Sequence, residues 1–457
     1  MLVDWVADYL HLEHGETRGD EILDDIDRRL AVTPAFPGLR HFYQGRRYKQ
    51  WTGDDSKALM KIFLPAVADY LPEEMVKCIA SFLDFCYLVR RSDIDETSLK
   101  AIETSLAAFI HYRDVFIETG VRNHFSVPRM HAMLHYPFLV IDFASPNGLC
   151  SSITESRHIT AVKRPWRRSN RYNALSQILR TNQRLDKLLI LRSSLVERNL
   201  LDSSHQPEPF DVENEDVGPV NSGRALADVK LAKTREPKYP RYISELATYI
   251  KQPLLKTLTQ QFLSEQLDRS DNSSISSHTS DIHLPEIISK INVYHSATAV
   301  FFAPSDHSGM QGMKRERIRS TPSWRGHERR DCVLVTIDED KPGFKGLSTA
   351  RVLLFFSFKY EDTTYSCALI HWFNTYGQRP DPKTGLWMVR PAFWDQAQRK
   401  PCLAVVHLDA LVRAVHLIPV FGSQALPIEL EHHQSLDVFK TFYVNKYGDH
   451  HANEILF

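Results

Sequence analysis

The sequence is poor in cysteine and lacks paired cysteine motifs. Only six of its 457 residues are cysteine, and no two of them are spaced as Cys-x-x-Cys. A folded chain of this length buries a sizeable core without covalent staples, so the disulfide-rich miniproteins are excluded. The few cysteines therefore predict reduced, mostly buried thiols in an intracellular protein.

Long apolar runs and nucleotide-binding glycine motifs are also missing. No stretch approaches the roughly 18 apolar residues that a membrane-spanning helix needs, so we expect no membrane association. The first residues include Asp4 and Asp8 and have no basic start, which does not fit a signal peptide. The sequence contains no G-x-x-x-x-G-K-[ST], G-x-G-x-x-G or G-x-S-x-G. The sequence signals for a P-loop enzyme, a dinucleotide-binding domain and an α/β-hydrolase are thus absent.

The remaining composition is that of an ordinary globular protein, with 56 basic and 56 acidic side chains. Helical periodicity dominates residues 1–200, most clearly in a helix that Asp95 or Thr97 caps and Gly120 ends. β-branched and aromatic runs separated by turn residues dominate the last third. We predict an α+β protein with a helical region at 1–200, acidic and Ser-rich linkers at 201–289 around a helical segment at about 240–267, and a small β-rich, barrel-like domain at 290–457.

The strongest charge signal lies between Arg157 and Lys187. This segment holds nine basic residues, with Asp186 as its single acid and with Trp166 and Tyr172 among them. Guanidinium groups beside aromatic rings suit phosphate contact and base stacking, so we predict DNA binding here. The alternatives are a solvated helix face or a clamp on the acidic N-terminal helices. The predicted DNA-binding residues are Arg157, Lys163, Arg164, Trp166, Arg167, Arg168, Arg171, Arg180 and Arg184, with Lys187 at the end of the run.

Glu155 precedes the basic segment and allows two interpretations. In Ser152-Ile-Thr-Glu155 the serine and glutamate have the spacing of a helix capping box. Glu155 is also an isolated carboxylate at a helix start, which is suited to a metal ion. Glu155 and His158 have the i, i+3 spacing of a di-iron site, but no second such pair is present.

Three other groups have the residue types of a site but are better explained structurally. His131 and His135 stand one helical turn apart and lack a third zinc ligand. Asp24-Asp-Ile-Asp27 lacks the second acidic cluster of a diphosphate site, so we expect a solvated face. Asp54 or Asp55 after Thr52 is expected to cap a helix.

Several long blocks resemble one family of transposases. The blocks are Lys49–Met60, Ser145–Ser156, Pro165–Arg171, His295–Asp306, Arg315–Arg319, Pro322–Trp324, His416–Gly422 and Tyr443–Tyr447. Together they resemble the C-terminal part of Plavaka-type transposases of mushroom-forming fungi, within the CACTA (En/Spm-like) group. The resemblance covers nearly the whole chain.

The resemblance implies an RNase H-like enzyme in which two aspartates and a glutamate hold two Mg²⁺ ions for DNA cleavage and joining. It assigns Glu155 as the third acid and as a metal ligand. The two aspartates are expected upstream of Met1, so this chain resembles a truncated or domesticated transposase. We therefore expect a nuclear, DNA-binding protein that neither binds Mg²⁺ nor cleaves DNA on its own.

The aromatic residues of the last third are expected to form the core of the barrel, with any exposed ones available for a partner. They are Phe355, Phe356, Phe358, Trp372, Phe373, Trp387, Phe393 and Trp394. The basic stretch Met310–Arg330 is expected to extend the DNA-binding surface or to form a mobile loop. The alternative to DNA binding is a non-enzymatic protein-interaction module, in which the C-terminal domain binds a protein and the basic helix is structural.

Overall fold

The first third of the protein is helical. The computed structural model describes residues 1–47, 51–149, 158–198, 200, 216–309 except 271–283, and 311–456. Its first ten helices are α1 (Leu2–His14), α2 (Glu16–Ala31), α3 (Gly53–Met60), α4 (Phe63–Val67), α5 (Glu73–Leu88), α6 (Glu96–Tyr112), α7 (Val115–Glu118), α8 (Pro128–Met133), α9 (Tyr136–Phe143) and α10 (Pro146–Leu149).

Local capping explains where two of these helices begin. Thr52 and Asp55 form a reciprocal capping box at the start of α3, which confirms the structural interpretation of Asp55. The Asp95 side chain accepts a 2.7 Å hydrogen bond from the Ser98 amide at the start of α6. The prediction of one helix up to Gly120 is wrong, because α6 ends at Tyr112 and a separate turn, α7, follows. Gly120, with φ of 76°, lies just after α7.

A helical hairpin follows, which we call the basic hairpin (residues 158–198). It contains a π-helical turn (Ile159–Lys163), α11 (Arg164–Arg168) and α12 (Ala174–Glu197). The hairpin therefore lies within the region 1–200 for which the sequence predicts helices.

The last part contains most of the strands. They are β1 (Val217–Pro219), β2 (Ala227–Leu231), β3 (Asn292–Tyr294), β4 (Ser296–Phe302), β5 (Met313–Trp324), β6 (His327–Arg330), β7 (Cys332–Thr336), β8 (Leu347–Tyr360), β9 (Thr363–Tyr376), β10 (Trp387–Pro391), β11 (Phe393–Asp395), β12 (Lys400–Pro401), β13 (Leu403–His407), β14 (Leu411–Val415), β15 (Leu417–Pro419) and β16 (Phe442–Val444). The helices among them are α13 (Ile243–Tyr249), α14 (Leu255–Ser270), α15 (Ser435–Val438) and α16 (His450–Leu456).

All the strand pairs are antiparallel, and two sheets share a core. One sheet has the order β1-β5-β4-β2, with β6 also paired to β5, and the other has the order β14-β7-β8-β9-β10-β16-β15. In the larger sheet, β13 pairs with the first half of β9 and β3 pairs with β8. The larger sheet is nearly closed, so the mixed fold class and the barrel-like C-terminal sheet are confirmed.

The long β8–β9 hairpin is buried on both of its faces. One face packs against the smaller sheet, through residues such as Val352 and Phe355. The other face carries Phe356 and Phe358, which pack under α13 and α14. Most of the aromatic residues expected in the core are buried or half-buried there, whereas the Trp394 side chain is 75% exposed.

Two strands, β1 and β2, precede residue 290, where the sequence predicts that the β-rich domain begins. β1 pairs with β5, and β2 pairs with β4, so the described part of 201–289 contributes to the smaller sheet. Helices α13 and α14 cover the segment around 240–267. The alternative of a mobile loop is wrong for the described residues of Met310–Arg330, because most of them form the paired strands β5 and β6.

The helical region and the C-terminal residues share one core. Leu386, Ile418 and Tyr443 pack among the residues of α1 to α6. The fully buried Arg29 on α2 donates 2.7 Å to Asp25 and 2.6 Å to the carbonyl of Gly422. The Tyr87 hydroxyl donates to the Tyr447 carbonyl. These contacts fix the two parts of the chain against each other.

Two further findings concern the cysteines and the apolar length of the helices. The five cysteines that the structure describes are all free thiols, as predicted, and burial raises the pKa of Cys78 to about 12. Cys150 lies outside the described residues. In the described part of the chain, no helix is both long enough and apolar enough to cross a membrane.

Candidate nucleic-acid interface

A proline organises the start of the basic hairpin. Pro165 has no amide hydrogen, so the carbonyl of Ala161 four residues earlier loses its α-helical donor. The backbone there widens into the π-helical turn, in which the Arg164 amide reaches back to Ile159. The side chain of Asn182 on α12 donates a 2.7 Å hydrogen bond to the carbonyl of Ala161. This bond fixes α12 against the basic turn.

Gln177 fixes the connection between α11 and α12. Its amide nitrogen donates to the Tyr172 carbonyl at 2.6 Å, and the Asn170 side-chain oxygen accepts a 3.0 Å hydrogen bond from the Tyr172 amide. Arg171 adopts a left-handed backbone conformation, with φ of 64°. Its guanidinium lies 4.9 Å from the centre of the Trp166 ring. The turn therefore holds an arginine and an aromatic ring together at the surface.

The basic side chains from Lys163 to Lys187 face solvent. In the described residues these eight side chains are exposed, and none of them pairs with an acidic residue. These eight are Lys163, Arg164, Arg167, Arg168, Arg171, Arg180, Arg184 and Lys187. Trp166 is 42% exposed and Tyr172 is 83% exposed. The hairpin thus presents the residue types of the predicted DNA-binding surface, except for Arg157 and Glu155, which lie outside the described residues.

In one alternative, the basic segment clamps the acidic N-terminal helices of the protein itself. The contacts of those helices do not fit this alternative. Asp24 and Asp27 on α2 pair with Arg47 and Arg46, with 2.9 Å between Asp27 Oδ1 and Arg46 Nε. Asp25 is buried against Arg29. The acids of α2 therefore have basic partners in their own region.

Apolar side chains continue along the packing face of α12. Ile178 is buried, and Leu185 and Leu189 follow it at helical spacing but are exposed. Within residues 158–195, Pro165 and Ile178 are the buried residues. The hairpin therefore offers an uncovered apolar stripe beside its basic residues.

The carboxylates that cluster in the described core are neutralised by basic side chains. Arg413 donates to Glu316 at 2.8 Å and to Asp449 at 2.6 Å, and Lys314 lies 3.4 Å from both Asp306 and Asp449. Burial opposes ionisation of Asp449, but Arg413 and Lys314 hold the pKa of that carboxyl well below its usual value. Sequence reasoning missed this cluster, because its members are far apart in the chain.

The described residues do not provide a site for the Mg²⁺ ions that the resemblance implies. Such ions need converging carboxylate oxygens that have no competing cation. Asp306, Glu316 and Asp449 share Lys314 and Arg413, and Glu155 falls outside the described residues. Mg²⁺ is therefore given no catalytic role in the described part of this chain.

The histidines of the protein offer two further places for a metal ion, one suggested by the sequence and one by the structure. The rings of His131 and His135 lie 4.9 Å apart at the α8–α9 junction, and no third ligand converges on them from the described chain. Within that part, the group whose ligand atoms do converge is His327, Glu431 and His433. No sequence motif signals it.

Comparison with known proteins gives no family assignment. No family model matches the chain, and neither the curated proteins nor the solved structures give a significant match.

Proposed function

We propose that this protein binds the phosphate backbone of DNA with the basic hairpin. The observation that carries the proposal is the set of eight exposed cations from Lys163 to Lys187, which have no acidic partner in the part of the chain that the structure describes. The buried arginines Arg29 and Arg413, in contrast, are paired with carboxylates. Basic side chains gathered without partners repel each other, so their arrangement is explained by an external polyanion.

The hairpin suits contacts that do not depend on sequence. Arg167 and Arg168 end α11, while Arg180, Arg184 and Lys187 follow one another at i, i+4 and i+7 along one face of α12. Guanidinium groups bind phosphate oxygens in a bidentate way. Trp166 and Tyr172 are available to stack on a sugar or an unpaired base.

We propose further that the protein derives from a Plavaka-type transposase with an RNase H-like ancestry. The sequence blocks support this origin, as does the position of the basic hairpin directly after Glu155. We assign Glu155 as the counterpart of the third catalytic acid. The proposed activity is DNA binding in the nucleus, and Mg²⁺-dependent cleavage is not proposed for this chain alone.

A binding assay with matched variants tests the proposal. Fluorescence anisotropy of labelled duplex DNA is measured for the wild type and for the double variant Arg167→Ala/Arg168→Ala. Removal of two phosphate contacts is expected to weaken binding about tenfold or more at low salt. The control Arg379→Ala/Lys383→Ala removes two exposed charges from the barrel and is expected to bind like the wild type. Equal losses in both double variants would contradict an interface on the hairpin.

Protein binding is a second candidate function, favoured by the uncovered leucines of α12. A partner with an apolar face would cover Leu185 and Leu189. A second copy of the chain is the partner that is tested directly, by sedimentation of the wild type and of Leu185→Ser/Leu189→Ser. Concentration-dependent dimers that the leucine variant loses would support this candidate, and a monomeric wild type would remove the second copy as the partner.

A further inference from the structure

Four histidines and a glutamate from three distant segments meet at one place on the surface. His41 lies in the loop between α2 and α3, and His327 begins β6. Glu431, His432 and His433 precede α15. The ring centres of His41 and His432 are 4.4 Å apart, and those of His327 and His433 are also 4.4 Å apart. Such a gathering of imidazoles calls for a specific explanation, because protonated rings would repel each other.

Three of these side chains have the geometry of metal ligands. His433 Nδ1 lies 3.2 Å from Glu431 Oε2, and His327 Nδ1 lies 3.8 Å from the same oxygen. All three ligand atoms lie within 4.8 Å of one another. Ligands at about 2.0–2.2 Å from a tetrahedral ion are roughly 3.3–3.5 Å apart, so small side-chain rotations suffice.

Two imidazole nitrogens in the cluster lack hydrogen-bond partners. The Nδ1 atom of His433 and the Nε2 atom of His41 are buried and make no hydrogen bond. Buried polar atoms are nearly always satisfied, so an unsatisfied pair in one cluster is unusual. A bound ion would satisfy His433 directly.

The supporting backbone is well ordered by local contacts. Trp324 and His327 pair across a two-residue turn in which Arg325 and Gly326 both have positive φ, 54° and 95°. The strand that His327 begins is held by Arg329, which donates to Asp331 at 2.8 Å and to Asp216 at 3.1 Å. The cluster thus has a fixed base.

Glu431 and His433 lie on a turn that is also anchored. The Glu431 amide donates to the Gln434 side chain at 3.0 Å, and the Gln434 amide donates to the Glu431 carbonyl at 3.0 Å. The hydroxyl of Ser435 donates to the carbonyl of Val32 on the helical region. Both sides of the site are therefore positioned before any ion binds.

We propose that His327, Glu431 and His433 bind a divalent transition-metal ion of the zinc type. Two imidazoles and one carboxylate form a zinc ligand set that leaves the fourth position for water or another ligand. Mg²⁺ prefers all-oxygen surroundings and does not match this set. The ion would join the β5–β6 hairpin to the loop before α15, so this site is independent of the proposed DNA interface.

Calorimetric titration of the untagged, metal-free protein with ZnCl₂ tests the proposal. We expect one ion per chain in the wild type. Removal of a group that only supports a metal ligand costs about 10–100-fold in metal affinity. The single variants His327→Ala and His433→Ala each remove a ligand itself, so their affinity for zinc should fall by far more. His327 is exposed and His433 is half-buried, and neither belongs to the hydrophobic core; circular dichroism verifies that the variants fold. Glu431→Gln provides a further variant that retains size.

His131→Ala/His135→Ala is the matched control, because it also removes two neighbouring imidazoles, with ring centres 4.9 Å apart, at a place where no third ligand converges in the described chain. Binding that survives this change and is lost in His327→Ala supports the site. Binding that is lost in the control and retained in His327→Ala overturns it, as does a wild type that takes up no zinc. Cobalt absorption gives an independent readout, since strong d–d bands in the wild type and their absence in His433→Ala are expected for a low-coordinate site.

Discussion

The arginines of the folded core and those of the basic hairpin differ in what surrounds them. Arg29 and Arg413 are fully buried and are bound by carboxylates. Arg167, Arg168 and the other cations between Lys163 and Lys187 are exposed and have no acidic partner among the described residues. Arginine thus occurs in two different environments in this molecule, and the net charge of the chain does not distinguish between them.

This difference indicates how charge is used in the molecule. A buried arginine is tolerated only where carboxylates compensate its desolvation. An exposed, unpaired arginine contributes little to stability and keeps its charge available for a partner. Substitutions in the core should therefore change stability, whereas substitutions in the hairpin should change binding.

The largest effect is expected for Arg413→Met. Burial lowers the pKa of Arg413, but Asp449 and Glu316 raise it by more, so the ion pair is intact at neutral pH. Loss of the guanidinium leaves the buried Glu316 without its salt-bridge partner and Asp449 with Lys314 alone, and it should cost about 3–5 kcal/mol of unfolding free energy. Urea denaturation measures the loss. Arg379→Met, on an exposed turn, should stay within about 0.5 kcal/mol of the wild type. Similar values for the two variants would mean that the buried cluster has no special role.

The next effect concerns acid pH and His416. The Nε2 atom of this ring donates to the Pro34 carbonyl at 3.0 Å, and its Nδ1 atom lies 3.0 Å from the side-chain nitrogen of Asn445. Both ring nitrogens are therefore satisfied in the neutral form. Burial lowers the pKa of His416 to about 4.

Because the folded pKa lies below the unfolded value, the stabilisation is complete above about pH 6.5 and is lost as the pH falls toward 4. The loss should be on the order of 2–3 kcal/mol for this group. His416→Gln does not titrate, so its unfolding free energy should fall less over this range. An unchanged pH slope in the variant would show that His416 does not contribute.

A smaller, local effect is expected for Asn182→Leu. The substitution leaves the Ala161 carbonyl without its donor and should cost about 1 kcal/mol within the hairpin. Hydrogen exchange of residues 159–168 should accelerate, and affinity for DNA should fall several-fold. Gln183→Leu makes the same chemical change on α12 without losing that bond and serves as the control. Identical exchange in both variants would remove the role of Asn182.

The smallest effect is expected for Trp166→Ala. Loss of this exposed ring removes the surface beside Arg171 on which a sugar or base can stack, so binding to single-stranded DNA should weaken by about 1 kcal/mol. The control Trp394→Ala removes an exposed tryptophan from the barrel and should leave binding unchanged. A loss in the control instead would place the aromatic contact on the C-terminal domain.

Local signals in the sequence predicted many of the elements. The capping residues Thr52 and Asp95 mark helix starts, and the aromatic runs around Phe356 mark the long central strands. The sequence did not predict that β1 and β2 complete the smaller sheet, because short polar strands acquire their structure from pairing with distant partners. The break between α6, which ends at Tyr112, and α7, which begins at Val115, was not predicted either.

The basic surface was predictable because its residues are consecutive in sequence and separate from acids. The bond from Asn182 to Ala161 was not predictable, although Pro165 could have signalled that a carbonyl needed another donor. The histidine cluster could not be found from spacing, since His41, His327 and His433 come together only through the tertiary fold.

The most direct test of the central claim is the salt dependence of DNA binding. The logarithm of the association constant should fall linearly with the logarithm of salt concentration, with a slope of about −0.9 for each phosphate contacted. The Arg167→Ala/Arg168→Ala variant should lower the magnitude of this slope by about 2, because two contacts are lost. Weak binding with a shallow slope that the variant does not change would contradict a DNA interface on the basic hairpin.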